Sequence, residues 1–166
     1  SGRIEIFSST IQSFGYDDCI GHPKWYEPSE WLGEKNLGKF PLHMVSPQPP
    51  DKLHSQMECV IADIEGARPA PLTINPVDAV ARSLNEGDIA RAFNNRGTAL
   101  VKILISDGIR EGVVSLCTGA WFSLDCNGIE QQGNPNVLTK DQGTSRLGQG
   151  STAHTALVEV EALCEK

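Results

Sequence analysis

Residues 133–150 carry the densest set of groups that could hold a ligand. Asn134, Asn136, Thr139, Thr144, Ser145 and Gln149 offer neutral donors and acceptors, and Gly133, Gly143, Gly148 and Gly150 let a backbone come close to a bound group. This set suits a large, flat, heteroatom-rich ligand better than a metal ion or a nucleophilic reaction. A long polar stretch between apolar ones is also how a solvated surface loop looks, and composition alone leaves both readings open. A second polar cluster, Lys52, His54, Ser55 and Gln56, follows the proline-rich run Pro47-Gln48-Pro49-Pro50.

Other chemistries find no support. No serine has a nearby base, no carboxylates are paired in a strong context, and no phosphate-binding glycine loop is present, so no catalytic residue is assigned. His54 has no second ligand at metal spacing, and a hydrogen-bonding or structural histidine is the better reading. The five cysteines, Cys19, Cys59, Cys117, Cys126 and Cys164, form no C-x-x-C pair and are odd in number. They read as buried or incidental thiols, which favours a reducing compartment. The net charge of −7 argues against nucleic-acid binding, which needs a basic footprint. No run reaches the ~20 apolar residues of a membrane helix. No signal peptide is expected, because Ser1-Gly2-Arg3-Ile4-Glu5-Ile6 reads directly as strand.

The elements that must position these groups are mostly short strands. Strands are predicted over residues 3–8, 40–46, 72–74, 89–93, 98–106, 113–117 and 156–161, from alternation or short apolar runs. Asn75-Pro76-Val77-Asp78 starts a helix, with Asn75 as cap, Pro76 at the first position and Asp78 complementing the dipole. Val77, Val80, Ala81 and Leu84 are expected on its inner side. Asn94-Asn95-Arg96-Gly97 reads as a hairpin turn. Phe14, Tyr16, Trp25, Tyr26 and Trp31 fall among glycines and prolines without a steady period, as in an extended arm whose rings pack on something else. Trp121 reads as a core plug before a stacking platform. The sum is a small β-barrel with helical insertions whose polar loops can gather at one rim: a binding domain, or an interaction domain that docks a protein through its aromatic arm.

A family resemblance sharpens this. Leu42-His43, Ser46-x-Gln48-Pro49, Leu53-His54-Ser55-Gln56, Asn75-Pro76-x-Asp78-Ala79, Gly87-Asp88, Phe93-Asn94-x-Arg96-Gly97, Gly119-Ala120-Trp121, the 133–139 run Gly-Asn-Pro-Asn-Val-Leu-Thr and Gly143-Thr144-Ser145 occur in one order. In that order they resemble the C-terminal domain of molybdopterin oxidoreductases of the trimethylamine N-oxide, dimethyl sulfoxide and biotin sulfoxide reductase group. Gly15-Tyr16-x-Asp18-Cys19-x-Gly21-His22-Pro23, ahead of Glu27-Pro28-x-Glu30-Trp31, is similar to that group too. Each motif is weak alone; so many in sequence are specific.

The resemblance implies a six-stranded double-psi β-barrel of the aspartate decarboxylase-like type, mainly β with short helices, over residues 39–166, with 1–38 as an arm from a preceding domain. It implies a molybdenum-bearing molybdopterin guanine dinucleotide cofactor (bis-MGD), bound jointly with the other domains of one longer polypeptide. That polypeptide would reduce an S-oxide or N-oxide, and the isolated chain would be inactive. Matched position by position, Ser46, Pro47, Gln48 and Pro49 fall on the first cofactor loop, with Lys52 where the family often has Arg. His54, Ser55 and Gln56 fall on its second part, Asn134 and Asn136 on a later contact, and Gln149, Gly150 and Ser151 on the final one. No residue matches the family's metal-ligating serine, so no metal ligand is assigned. Ser46-x-Gln48-Pro49 and Pro28-Ser29-Glu30-Trp31 look most like biotin sulfoxide reductase, a cytoplasmic type. The trimethylamine N-oxide enzymes, mostly periplasmic, more often carry His where Gln48 stands.

Overall fold

The computed structural model describes residues 2–33, 38–58, 68–152 and 154–163. They fall into two compact units: Glu30–Lys140 with Ala153–Lys166, and Ser1–Ser29 with Asp141–Thr152. The first unit is a barrel of six strands, β1 (Leu42–Val45), β2 (Pro71–Ile74), β3 (Ile89–Phe93), β4 (Thr98–Ile105), β5 (Val113–Leu116) and β6 (Ala156–Ala162). It closes in the order β1-β5-β2-β4-β3-β6, with β6 returning to β1. Two pairs are parallel, β1 with β5 and β2 with β4, and the rest antiparallel. This is the mixed, closed double-psi barrel that the family resemblance implies.

Alternation explains which side chains point inward. Leu42 and Met44, Leu72 and Ile74, Val101 and Ile103, Val114 and Leu116, Val158 and Val160 are all buried, each pair two residues apart on its strand. Ala90, Ala92 and Ala99 are fully buried as well. A six-stranded barrel is narrow, and alanines on the neighbouring strands β3 and β4 leave room for the larger side chains opposite. Each large aliphatic side chain held inside contributes about 1.5–3 kcal/mol.

Between β2 and β3 lies the helix α2 (Pro76–Ala81). Asn75 caps it by accepting the Val77 N–H at 2.9 Å, as expected. Its inner face differs from the expected one. Val77 and Val80 are 57% and 78% exposed and Ala81 is exposed too; the helix instead buries Asp78 and Ala79, while Leu84, just past its end, is buried as expected. Asp78 Oδ2 accepts the Gly112 N–H at 2.7 Å, and Arg82 Nε donates to Glu159 Oε1 at 2.6 Å. Polar partners distant in sequence outweigh the apolar pattern of a helix this short.

The other unit holds a helix α1 (Ser9–Ser13), capped by Ser8 Oγ, which accepts the Ile11 N–H at 3.2 Å. The strand expected over residues 3–8 is absent, and Ile4 and Ile6 are 93% and 72% exposed. Alternation makes a strand only where an edge can pair with it, and the closed barrel has no free edge. Around Arg146 the unit is tied together. Its N–H donates to Asp18 Oδ2 at 3.0 Å, its guanidinium pairs with Asp17 at 3.0 Å, and it lies over the Tyr16 ring. Phe14 and Trp25 stay about half or more exposed. Among the described residues no helix is long and apolar enough to cross a membrane.

Candidate functional site

An open cleft of about 620 Å³ lies in the barrel unit, with three walls: His54 and Ser55, residues 118–122, and Asn134 with Asn136. The first wall is set by the end of β1. Ser46 is buried, its N–H donates to His154 Nδ1 at 3.3 Å, and its Oγ is buried without a hydrogen-bond partner. The Pro47 carbonyl accepts the Thr118 N–H at 3.0 Å, which continues the parallel β1–β5 seam and joins the first wall to the second. Gln48 Nε2 closes the turn by donating to the Lys52 carbonyl at 2.8 Å, while Pro49 is buried. His54, Ser55 and Gln56 then project at the surface. His54 has φ +51, in the left-handed region.

The second wall leaves β5. Gly119 passes directly beneath the His54 carbonyl with φ +99, and an added Cβ would sit 2.0 Å from that oxygen. Only glycine serves there. Trp121 is 54% exposed rather than a core plug. Its Nε1–H donates to the Ser55 carbonyl at 3.1 Å, which fixes the indole beside the first wall. Phe122 and Leu124 are also exposed.

The third wall is organised by a fully buried carboxylate. Glu130 accepts the Ser123 N–H at 3.2 Å, the Gln132 N–H at 2.9 Å and the Asn134 N–H at 2.7 Å. Asn134 spends its own amide on the protein: Oδ1 accepts the Asn136 N–H at 2.9 Å, and Nδ2 donates to the Ala120 carbonyl at 2.7 Å. Asn136 is exposed, and its side-chain amide makes no hydrogen bond among the described residues. It follows the first residue of the 3-10 turn Pro135–Val137, which aims it from a rigid base.

Beneath the first two walls lies a buried cluster of charges. Glu58 is 1% exposed and pairs with both Lys52 and Arg68. It also accepts the Trp121 N–H at 3.4 Å. Lys52 thus turns its ammonium inward on Glu58, with its side chain only 7% exposed. Burial lowers the Arg68 pKa, and the Glu130 carboxylate opposes that shift. Burial, followed by the nearby Asp51, pushes the Cys117 thiol up.

His54, Ser55, Asn134 and Asn136 therefore share one cleft, and Ser46, Pro47, Gln48, Pro49, Lys52 and Gln56 belong to the loop that builds its first wall. Gln149, Gly150 and Ser151 lie in the other compact unit. There Gln149 Nε2 donates to the Ser145 carbonyl at 2.6 Å, the Gly150 carbonyl accepts the Thr144 N–H at 3.0 Å, and Ser151 bridges to Gly143. Sequence reasoning assigned no site residue within 118–122, ranking Trp121 as a core plug ahead of a stacking platform, and missed Glu58 and Glu130 altogether. An isolated glutamate in an irregular stretch carries no local signal. Cys19, Cys117 and Cys126 are free thiols; Cys59 and Cys164 lie outside the described residues. Among the described residues, no three His, Cys, Asp or Glu gather as a metal site.

Chemically, the cleft presents an indole, an uncommitted amide, an imidazole and hydroxyls around a backbone approached closely at Gly119. Those groups fit a flat bicyclic ligand with donor and acceptor atoms along its edge, as a pterin or guanine has. Residues 42–157 match the family model "Molydopterin dinucleotide binding domain". The chain is 44% identical over 165 residues to biotin sulfoxide reductase of Cereibacter sphaeroides, covering 98% of this chain and 22% of that protein. It is 45% identical over 169 residues to trimethylamine-N-oxide reductase 1 of Escherichia coli, covering 97% and 20%. It is 42% identical over 167 residues to a dimethyl sulfoxide/trimethylamine N-oxide reductase of Cereibacter sphaeroides, again covering 97% and 20%. The chain thus spans about a fifth of the length of these relatives. Acetylene hydratase from Pelobacter acetylenicus shares the fold, with a TM-score of 0.77 at 18% identity over 98% of this chain and 24% of that one. The chain belongs to the Molydopterin dinucleotide binding domain family, in the group that contains the biotin sulfoxide, trimethylamine N-oxide and dimethyl sulfoxide reductases.

Proposed function

We propose that this chain is the cofactor-binding barrel, and the last domain, of a longer molybdenum reductase of S-oxides or N-oxides, of the biotin sulfoxide reductase type. In it the barrel supplies one wall of the molybdopterin guanine dinucleotide site. The observation that carries the reading is the meeting of the His54–Ser55 turn, the Trp121 indole and the uncommitted Asn136 amide on one cleft. When bound, the cofactor would supply oxygen-atom transfer with its two electrons, and the protein's share is to hold and orient it. Asn136, His54 and Ser55 would pair with the heteroatom edge of the ligand. The buried Ser46 Oγ, left without a partner, is a further donor in the loop behind. Asn134 and Lys52 would act from behind the surface, through Ala120 and Glu58 respectively. Gln149, Gly150 and Ser151 are the remaining contacts, supported by their match to the family motif. The Gln48 position favours the biotin sulfoxide type, and with it a cytoplasmic location, over the trimethylamine N-oxide type.

The test is metal analysis with cofactor extraction on the whole polypeptide that carries this chain and on the chain alone. Molybdenum with guanine dinucleotide in the whole protein, and none in the chain alone, is the expected result. A folded whole protein, purified from cells that make the cofactor, with neither metal nor pterin would overturn the reading. A non-enzymatic interaction barrel would then take first place, favoured by the exposed rings of Trp25, Trp121 and Phe122.

A further inference from the structure

Glu58 stands out from the rest of the molecule because it is ionisable yet only 1% exposed, and the cofactor reading above invokes it only as the partner of Lys52. A carboxylate withdrawn that far from water persists only when paired and hydrogen-bonded. Its partners come from separate stretches of chain. Lys52 opens the turn that bears His54 and Ser55. Arg68 stands ten residues after Glu58, two ahead of the buried Ala70. Trp121 belongs to the second wall and donates its N–H to Glu58 Oε1 at 3.4 Å. The same Trp121 gives its Nε1–H to Ser55. Its backbone is thus referred to Glu58, its ring to Ser55, and the turn carrying Ser55 to Glu58 through Lys52.

We propose that Glu58 is a positioning residue of the cleft, setting the His54–Ser55 turn against the Trp121 wall without touching the ligand. This rests on the cofactor reading above. Glu130 plays the corresponding part between the second and third walls, through the N–H groups of Ser123 and Asn134. Arg68 lies within electrostatic reach of Glu130 while pairing with Glu58. Among the described residues, Glu58 and Glu130 thus face Lys52 and Arg68 beneath the cleft, with the exposed Asp51 also within electrostatic reach of both cations. A lone neutraliser would need only its charge. A positioning residue needs charge and reach together, and this difference is measurable.

Glu58→Asp keeps the charge and draws the carboxylate back by one methylene, while Glu58→Gln keeps the reach and drops the charge. Both are made in the whole polypeptide, with molybdenum and guanine nucleotide per folded protein measured after gel filtration, alongside the Tm. Cofactor content is expected to fall about tenfold or more in each variant, the scale seen when a supporting partner of a bound group is lost. Leu84→Ala, a core variant away from the cleft, should lower the Tm as much and keep its full cofactor. A fully loaded Glu58→Asp would reduce Glu58 to a counter-ion and overturn the proposal. So would a Glu58→Asp that fails to fold, since that assigns a structural role alone. Absence of cofactor from the unsubstituted protein is a separate result, which sinks the cofactor reading itself.

Discussion

Asn134 and Asn136 are two residues apart and of one type, yet the fold gives them opposite work. Asn134 is 7% exposed and spends its whole side chain on Ala120 and Asn136, whereas Asn136 is exposed with its amide uncommitted. Asn134→Ala should therefore lower stability by about 1–3 kcal/mol, because two backbone groups lose their partner; a thermal melt reads this directly. Asn136→Ala should leave the melt within about 0.5 kcal/mol. It should weaken cofactor retention by roughly tenfold, the equivalent of about 1.4 kcal/mol. If the two variants behaved alike, the division of labour between them would be wrong. Sequence reading placed both asparagines among the ligand-facing groups. Side-chain type is visible in a sequence, but whether a donor is already spent depends on Ala120, fourteen residues away.

Glu30 shows how an element is secured onto the barrel. It takes a two-pronged contact from Arg96 at 2.8 and 2.9 Å, the Leu157 N–H at 2.9 Å and Lys140 at 3.1 Å. Burial pushes its carboxyl up, but Arg96, the Leu157 N–H and Lys140 together outweigh burial and hold the pKa at about 2, from 4.5. A depressed carboxyl adds stability that is complete above its unfolded value and is lost as pH falls through the folded one. Denaturant melts of the chain should accordingly lose about 1–2 kcal/mol between pH 4.5 and 2, after allowance for solvent screening. Glu30→Gln should remove that part of the acid slope and lower stability at pH 7. An unchanged slope in the variant would show that other carboxyls carry it. Among the elements, β1 to β6, the Asn75-Pro76 helix start and the 94–97 turn were legible, because alternation, short apolar runs, capping and turn chemistry are local. The 3–8 strand and the inner face of α2 were misread, because each depends on what lies opposite: no free edge in one case, the Gly112 N–H in the other.

At the scale of the whole molecule, Trp121, Phe122 and Leu124 form an exposed apolar run at the cleft, 54%, 61% and 49% accessible. In the longer polypeptide proposed above, neighbouring domains would cover such a run; in the chain alone it faces water. The 166-residue chain should therefore self-associate weakly, with a weight-average mass that rises with concentration in sedimentation equilibrium. Trp121→Ser with Phe122→Ser should reduce that rise, while a clean monomer at high concentration in the parent chain would contradict it. The barrel's closure has a different kind of consequence. β6 pairs with both β1 and β3, so the ring is open until residues 156–162 have been made. Before that, β1 and β3 each present an unpaired edge, and the many contacts between distant residues slow the search for the closed form. During synthesis the walls of the cleft leave the ribosome ahead of the strand that closes the barrel beneath them. Loading of a cofactor into this barrel would then follow translation through β6 and could not accompany the emergence of its binding residues. A ribosome stalled before residue 156 would hold a chain that exposes strand edges for chaperones to cover and has no finished cleft to fill.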